Sequence, residues 1–355
     1  MKKSLFDQTY IKKMSMKNRF IAAAVGDRHA VNGHMTDKDF LVYENLAKGG
    51  AGTVITGFTY ITDYPVNETM LGIYDDSFIT EYSRLTAMVH QYKTNIIMQL
   101  VHPGSFVMTD TAGAKMLGPS EVENLSSQKI PSEMTKQDIK DVQQAFADAA
   151  LRAKRAGFDG VELHAAHGFL LNQFLTPYYN RRSDEYGGTD DNRARMLIET
   201  FHLVRKTVGE EYPIFVKINC DDGIENGITY DGFHAACKQL TEAGADAIEV
   251  SGHWFSFKNT DSFYYKDYTA KIAQEKRIPM ILVGGINDFE AAAQVLESTD
   301  IEYFAMARPL IAEPDLINRW AAGNAGKSKC IGCNNCTKAS PLWGRCILNK
   351  DSSRE

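Results

Sequence analysis

The chain carries no surplus of positive charge. Its 39 Lys and Arg stand against 45 Asp and Glu, for a net charge of -6. Proteins that grip nucleic acid neutralise phosphates with a basic face, so that class is excluded. Lys2-Lys3 and Lys12-Lys13 read as solvated surface. No run approaches the ~18 apolar residues that a helix needs to cross a bilayer, which excludes a membrane span. The amino-terminal stretch MKKSLFDQTYIKKMSMKNRF begins with lysines but lacks the apolar stretch of a secretory signal. The cytoplasm is therefore the expected location. There is no internal repeat and no low-complexity tract. A chain of 355 residues with ordinary apolar content can hold one large domain.

What is present is an alternation. Short apolar runs at 20–25, 53–57, 95–100, 160–164, 214–218, 247–251, 280–283 and 303–307 read as parallel strands covered on both faces. Between them, 38–47, 78–92, 136–155, 192–208, 230–243, 266–274, 289–296 and 315–321 show the helical recurrence of apolar residues. Thr36 with Asp39 is a capping pattern, and Gly244 is a natural helix stop. Strand and helix in eightfold alternation predict an α/β fold, a (β/α)8 TIM barrel. An open doubly wound sheet is the rival, but no Gly-x-Gly-x-x-Gly turn follows the first strand. Two connections are long, 101–135 and 252–265, and both follow strand ends where barrel active sites lie. The second carries Trp254, Phe255, Phe257, Phe263, Tyr264 and Tyr265, which either cover a ligand or pack the loop.

The densest information lies in VELHAAHGFLLNQFLTPYYNRRSDEYGGTDDNRAR, residues 161–195. A strand ends in His164, with His167 three residues later and then Gly168. The segment resembles the signature of the Old Yellow Enzyme family, FMN-dependent ene reductases and their relatives, in the branch reading HAAHGYLxxxFLxPxxNxRxDxYGGxxxNRxR. The resemblance implies that His164 and His167 bond the carbonyl oxygen of an activated alkene, whose β-carbon takes hydride from flavin N5. NAD(P)H would reduce the flavin in an earlier half-reaction.

A flavin phosphate in such a barrel needs a glycine turn after strand seven and a cation after strand eight. Gly284-Gly285 and Ala307-Arg308 meet that need. Lys217, ending strand five, would face the electron-rich N1 edge, where the family carries Arg or Lys. Gln99 opens QLVHPG, similar to the family's QLxHxGR, and its amide suits the pyrimidine. Ala23, Ala24, Val25, Gly26 and Gly57 match positions where the family's backbone touches the ring. Three departures stand out. Phe169 replaces the tyrosine that commonly protonates the substrate; Tyr178, Tyr179, Tyr60 and Arg28 are substitutes by position. Gly26 replaces a Thr or Cys, and Ser105 an arginine.

Cys220 and Cys237 read as buried thiols. Cys330, Cys333, Cys336 and Cys346 crowd into seventeen residues as C-x2-C-x2-C-x9-C. This resembles the [4Fe–4S] motif of 2,4-dienoyl-CoA reductase and trimethylamine dehydrogenase, with shorter middle and last gaps. Zinc or an empty remnant stays open beside a cluster. Residues 1–325 are expected to form the FMN-binding barrel and 326–355 a cysteine-containing extension. Those relatives continue into a nucleotide-binding portion, which does not fit in the nine residues after Cys346. A cluster would then exchange electrons with a partner protein or be structural; a homo-oligomer is equally open. The expected partner is a small-molecule substrate. The expected activity is NAD(P)H-dependent reduction of enones or enoates. Oxidative demethylation of amines, and an electron-transfer subunit that needs a partner, are the alternatives. A tRNA-modifying barrel is disfavoured by the acidic balance.

Overall fold

The computed structural model describes residues 3–26, 28–63, 69–107, 116–252, 263–276, 278–337 and 344–349. Eight parallel strands form its centre: β1 Phe20–Ala22, β2 Thr53–Ile55, β3 Asn95–Val101, β4 Gly160–Ala165, β5 Ile214–Asn219, β6 Ala247–Ser251, β7 Met280–Val283 and β8 Tyr303–Met306. Each pairs with the next, and β8 returns to β1 through Ala305 opposite Ile21, so the sheet closes. Closure leaves no strand edge among the eight. Their side chains are buried apart from Asn95, which is half-buried at the start of β3. Strands covered by helices outside and by one another inside must be apolar on both faces.

The helices alternate with the strands: α1 Asp37–Lys48, α2 Ile79–His90, α3 Lys136–Arg155, α4 Asp190–Val208, α5 Tyr230–Glu242, α6 Lys266–Lys276, α7 Phe289–Ser298 and α8 Leu316–Ala321. Their starts follow local chemistry. The Asp39 carboxylate accepts the Thr36 N–H at 2.8 Å and its hydroxyl at 2.9 Å. Thr135 and Asp138 repeat the device at α3. Gly244 follows α5 with φ of 86°, and its N–H closes the helix onto Thr241 O.

Sequence patterning overextended three strands at their carboxyl ends. Beyond Ala22 only the Ala23 N–H still bonds β8, at Met306 O. Past Ile55 the Gly57 N–H turns to the Tyr43 hydroxyl at 2.9 Å. After Met306, Ala307 caps a short helix, Arg308–Ala312. Patterning also missed the helix Leu170–Leu175 and an amino-terminal hairpin, Thr9–Ile11 with Met14–Met16. That hairpin lies against the strand starts: Asn95 Nδ2 donates to Ser15 O at 2.7 Å, and the Thr53 hydroxyl meets Met16 Sδ at 3.0 Å. Phe20, fully buried, packs on Phe6 and Trp320 with centroids 5.6 and 5.4 Å apart. Burying such a ring stabilises the fold by about 1.5–3 kcal/mol. With that end plugged, ligand chemistry belongs to the opposite, carboxyl end of the strands.

Residues 326–337 and 344–349 run along that same end. Ser328 N–H bonds Asn287 O at 2.8 Å, and Asn349 Nδ2 bonds Ile311 O at 3.2 Å. Trp254, Phe255 and Phe257 lie outside the described residues. No described helix is long and apolar enough to cross a membrane.

Candidate active site

β4 delivers His164 into the barrel, and the turn after it delivers His167. Their rings meet edge to face, 5.1 Å apart. His167 has φ of 57°, a conformation that few non-glycine residues adopt, and Gly168 follows at 76°. A buried polar hub holds this turn. The His167 N–H donates to Asn219 Oδ1 at 3.3 Å, and the Gly168 N–H to Asn172 Oδ1 at 2.7 Å. Both amides then donate to Asp222 Oδ1, at 2.8 Å from Asn219 and 3.1 Å from Asn172. Asp222 Oδ2 accepts from the Thr176 hydroxyl at 2.6 Å and the Ile228 N–H at 2.8 Å. Sequence reasoning missed Asp222, Asn172 and Asn219. Asn172 and Asn219 carried a signal, as polar residues within or ending apolar runs, whereas Asp222 sits in a polar turn and carried none.

The histidine rings are themselves oriented. His164 Nδ1 accepts the Ala166 N–H at 3.3 Å, so its own proton sits on Nε2. His167 Nε2 lies 2.7 Å from the Ser251 hydroxyl at the end of β6. Burial is the first cause holding both rings well below the usual histidine range, and the Lys217 charge adds to it. Both are therefore neutral imidazoles at neutral pH, able to polarise an oxygen by hydrogen bonding.

Phe169 stands beside them, 4.8 Å from His164, with Phe58 at 5.2 Å and Phe106 at 5.3 Å. The wall beside the histidines is thus apolar. Of the four proposed substitute donors, Tyr60 belongs to this cluster, 5.8 Å from Phe58, and Arg28 is near enough to act on its hydroxyl. Tyr178 and Tyr179 pack on one another, 4.9 Å apart, and burial pushes the Tyr179 phenol up to about 12.

Lys217 and Gln99 are buried inside the barrel, and each has a carboxyl partner that sequence reasoning did not assign. Lys217 Nζ donates to Glu249 Oε1 at 2.6 Å, and Gln99 Nε2 donates to Glu162 Oε2 at 2.6 Å. Register explains the pairing: Lys217 is opposite both His164 and Glu249, and Gln99 is opposite Glu162. The cost of burying Lys217 is offset within the protein. Glu162 and Glu249 were visible as lone charges within the strand runs Gly-Val-Glu-Leu-His and Ala-Ile-Glu-Val-Ser.

At the neighbouring strand ends, Gly284 and Gly285 take φ of 94° and 73°, which glycine alone adopts freely. A Cβ at Gly284 would fall 2.8 Å from the Tyr264 ring. Arg308 donates to the Tyr264 hydroxyl at 3.0 Å and to Asn334 Oδ1. Ala23, Val25, Gly57 and Ala307 line one cavity of about 110 Å³, shared with Val42, Tyr43 and Leu46 of α1. Ala24 is half-buried beside Ala23, and Gly26 packs beneath Met70 and Phe58. The sites proposed from sequence therefore fall into three groups at the carboxyl end: the cavity wall, the histidine–lysine–glutamine interior, and the glycine–arginine corner.

Cys330, Cys333, Cys336 and Cys346 line one further, narrow cavity of about 10 Å³, together with Arg308 and Asn334. Among the described residues, no three metal-binding side chains close around a common point. Burial pushes the Cys330 thiol up and the Cys336 thiol to about 11.

The profile of the NADH:flavin oxidoreductase / NADH oxidase family matches residues 4–326. A metal reductase of Desulforamulus reducens is 31% identical over 99% of this chain and 54% of its own length. An NADPH dehydrogenase of Bacillus cytotoxicus is 31% identical over 92% of this chain and 94% of its own. An Old Yellow Enzyme homologue from Zymomonas mobilis superposes with a TM-score of 0.80 at 25% identity, covering 92% of this chain and 94% of that one. The chain thus spans about half the length of the metal reductase and nearly all of the dehydrogenase.

Proposed function

The chain belongs to the NADH:flavin oxidoreductase / NADH oxidase family, and on that premise we propose that it is an FMN-dependent NAD(P)H oxidoreductase that reduces activated alkenes such as enones and enoates. One observation carries the reading: two buried, oriented imidazoles stand at the open end of a closed barrel, one of them in register with a buried lysine. The chain's own groups suit FMN. Gly284 and Gly285 with Arg308 offer an anion-binding corner, the alanine–glycine cavity offers an apolar wall, and Lys217 and Gln99 offer a polar edge. Bound there, FMN would supply the hydride chemistry that links NAD(P)H to the substrate.

The protein's part is positional and electrostatic. His164 Nε2–H donates to the substrate carbonyl oxygen and draws charge from the double bond. Ser251 fixes the His167 ring, and the Asp222 hub fixes the turn beneath it. Phe58, Phe106 and Phe169 exclude water from one side. For the four cysteines the reading is a [4Fe–4S] centre ahead of zinc. It rests on their sequence spacing; among the described residues the thiols do not close around a common point. Iron, sulfide and zinc analysis of anaerobically purified protein separates the two.

The test of function mixes the NADPH-reduced, FMN-loaded protein anaerobically with a panel of cyclic enones. Reoxidation of the flavin is expected, and H164A should slow it by roughly 10²–10³-fold, as loss of an oxyanion donor does. A flavin that no enone reoxidises, in a protein that a methylated amine reduces, would replace this reading with amine oxidation.

A further inference from the structure

Two buried carboxyl groups inside the barrel face each other with no donor between them. Glu162 and Glu249 are fully buried and within hydrogen-bonding reach of one another. One oxygen of each is satisfied, by Gln99 and by Lys217. The others, Glu162 Oε1 and Glu249 Oε2, are buried acceptors without a partner. Two ionised carboxylates in this arrangement would repel in a dry interior, and Lys217 can balance only one of them. A single proton between the unpartnered oxygens supplies the missing donor. The cluster then holds one ammonium, one carboxylate and one carboxylic acid, with no net charge.

We propose that Glu162 and Glu249 share one proton at neutral pH and act together as a positioning element for Lys217, keeping its cation from being overbalanced beneath the histidine pair. The link to a flavin edge rests on the function proposed above; the shared proton does not. Glu162 sits two residues before His164 on one face of β4, so the pair lies one layer below the mouth. The titratable groups facing it are few. His164 and His167 are neutral, Lys217 comes from β5, and β1, β2, β3, β7 and β8 bring no charged side chain. The Tyr303 hydroxyl bonds Thr9 at the plugged end. Asp222 is taken up by its own four donors. Burial, then the Glu249 charge, holds the Glu162 carboxyl well above the usual carboxylate range.

Infrared spectra of the flavin-free and FMN-loaded protein at neutral pH read the carbonyl stretch of a buried carboxylic acid, identified by its shift in D2O. The band is expected in both preparations. It should vanish in E162Q and equally in E249Q, because one remaining carboxyl ionises against Lys217. E162Q keeps the packing: its amide can donate to Glu249 Oε2 and accept from Gln99. Thermal melts give a second readout. A raised folded pKa means the native protein holds more protons than the unfolded chain between the ordinary carboxylate value and the raised one. Wild-type stability therefore falls as pH rises through that window, and E162Q lacks the slope. Its Tm relative to wild type should climb with pH. In loaded protein, the flavin midpoint potential should vary less steeply with pH in E162Q than in wild type. Absence of the band from wild type, or its survival in either variant, overturns the shared proton. Identical potential–pH slopes overturn its link to the flavin. A band in protein that takes up no FMN leaves the carboxyl pair standing and sinks the functional reading instead.

Discussion

Phe169 brings a ring without a proton to within 4.8 Å of His164. General-acid help is worth about 10²–10⁴-fold where it limits a step. F169Y is accordingly expected to speed enone-driven flavin reoxidation by at least about tenfold, measured by anaerobic stopped flow. Its new hydroxyl enters the apolar cluster of Tyr60, Met70 and Val101, at a cost of about 1–3 kcal/mol if unpaired. A lower melting temperature with a faster reaction is the expected pairing. An unchanged rate would assign proton delivery to another group, and Tyr60 belongs to the same aromatic cluster as Phe169. The residue scale also shows what patterning can and cannot recover. His164, Gln99 and Lys217 stood out because a polar residue at the end of an apolar strand is conspicuous, and His167 because it follows His164 within the motif. Their partners Glu162 and Glu249 were equally polar, but only cross-strand register shows that they meet.

At the scale of elements, the turn after β4 depends on a side chain from another connection. Asp222 follows β5, yet its oxygens gather donors from the Leu170–Leu175 helix, from Thr176 just beyond it, from β5 and from Ile228. D222N replaces one acceptor oxygen with an amide that confronts donors. It should lower stability by roughly 2–4 kcal/mol in denaturant titrations and release His167 from its left-handed turn, with turnover falling alongside. Helices were well predicted where a threonine–aspartate cap and a stripe of apolar residues coincide, as in α3 at Lys136–Arg155. The Leu170–Leu175 helix escaped because all six of its residues are buried, so it shows no polar face to mark the period. Strand ends were overextended for a related reason. Val25 and Gly57 are as apolar as the strand before them, but their backbone has left the ladder to line a cavity.

For the molecule as a whole, eight paired strands and a plugged amino-terminal end leave one mouth, and the eightfold alternation foretold it. What alternation could not foretell is how the carboxyl-terminal segment returns to that mouth. Cys333 and Asn334 are adjacent in sequence, and Asn334 reaches Arg308 just past β8. N334A should therefore weaken FMN affinity by about tenfold through loss of a hydrogen bond that orients the guanidinium, read by fluorescence titration of flavin-free protein. R308A should weaken it more, about 10²-fold, by removing a charge-assisted phosphate contact. Equal affinities for N334A and wild type would uncouple the two.

Arg308 is clasped from opposite sides, by Tyr264 following β6 and by Asn334 between two of the clustered thiols. One guanidinium thus joins two loops that lie far apart in sequence. Any event that reshapes the thiol-bearing loop, such as oxidation of a sulfur or arrival of a metal, would be transmitted along that clasp to the neighbouring mouth of the barrel, and the fading or deepening of the protein's yellow colour would report it.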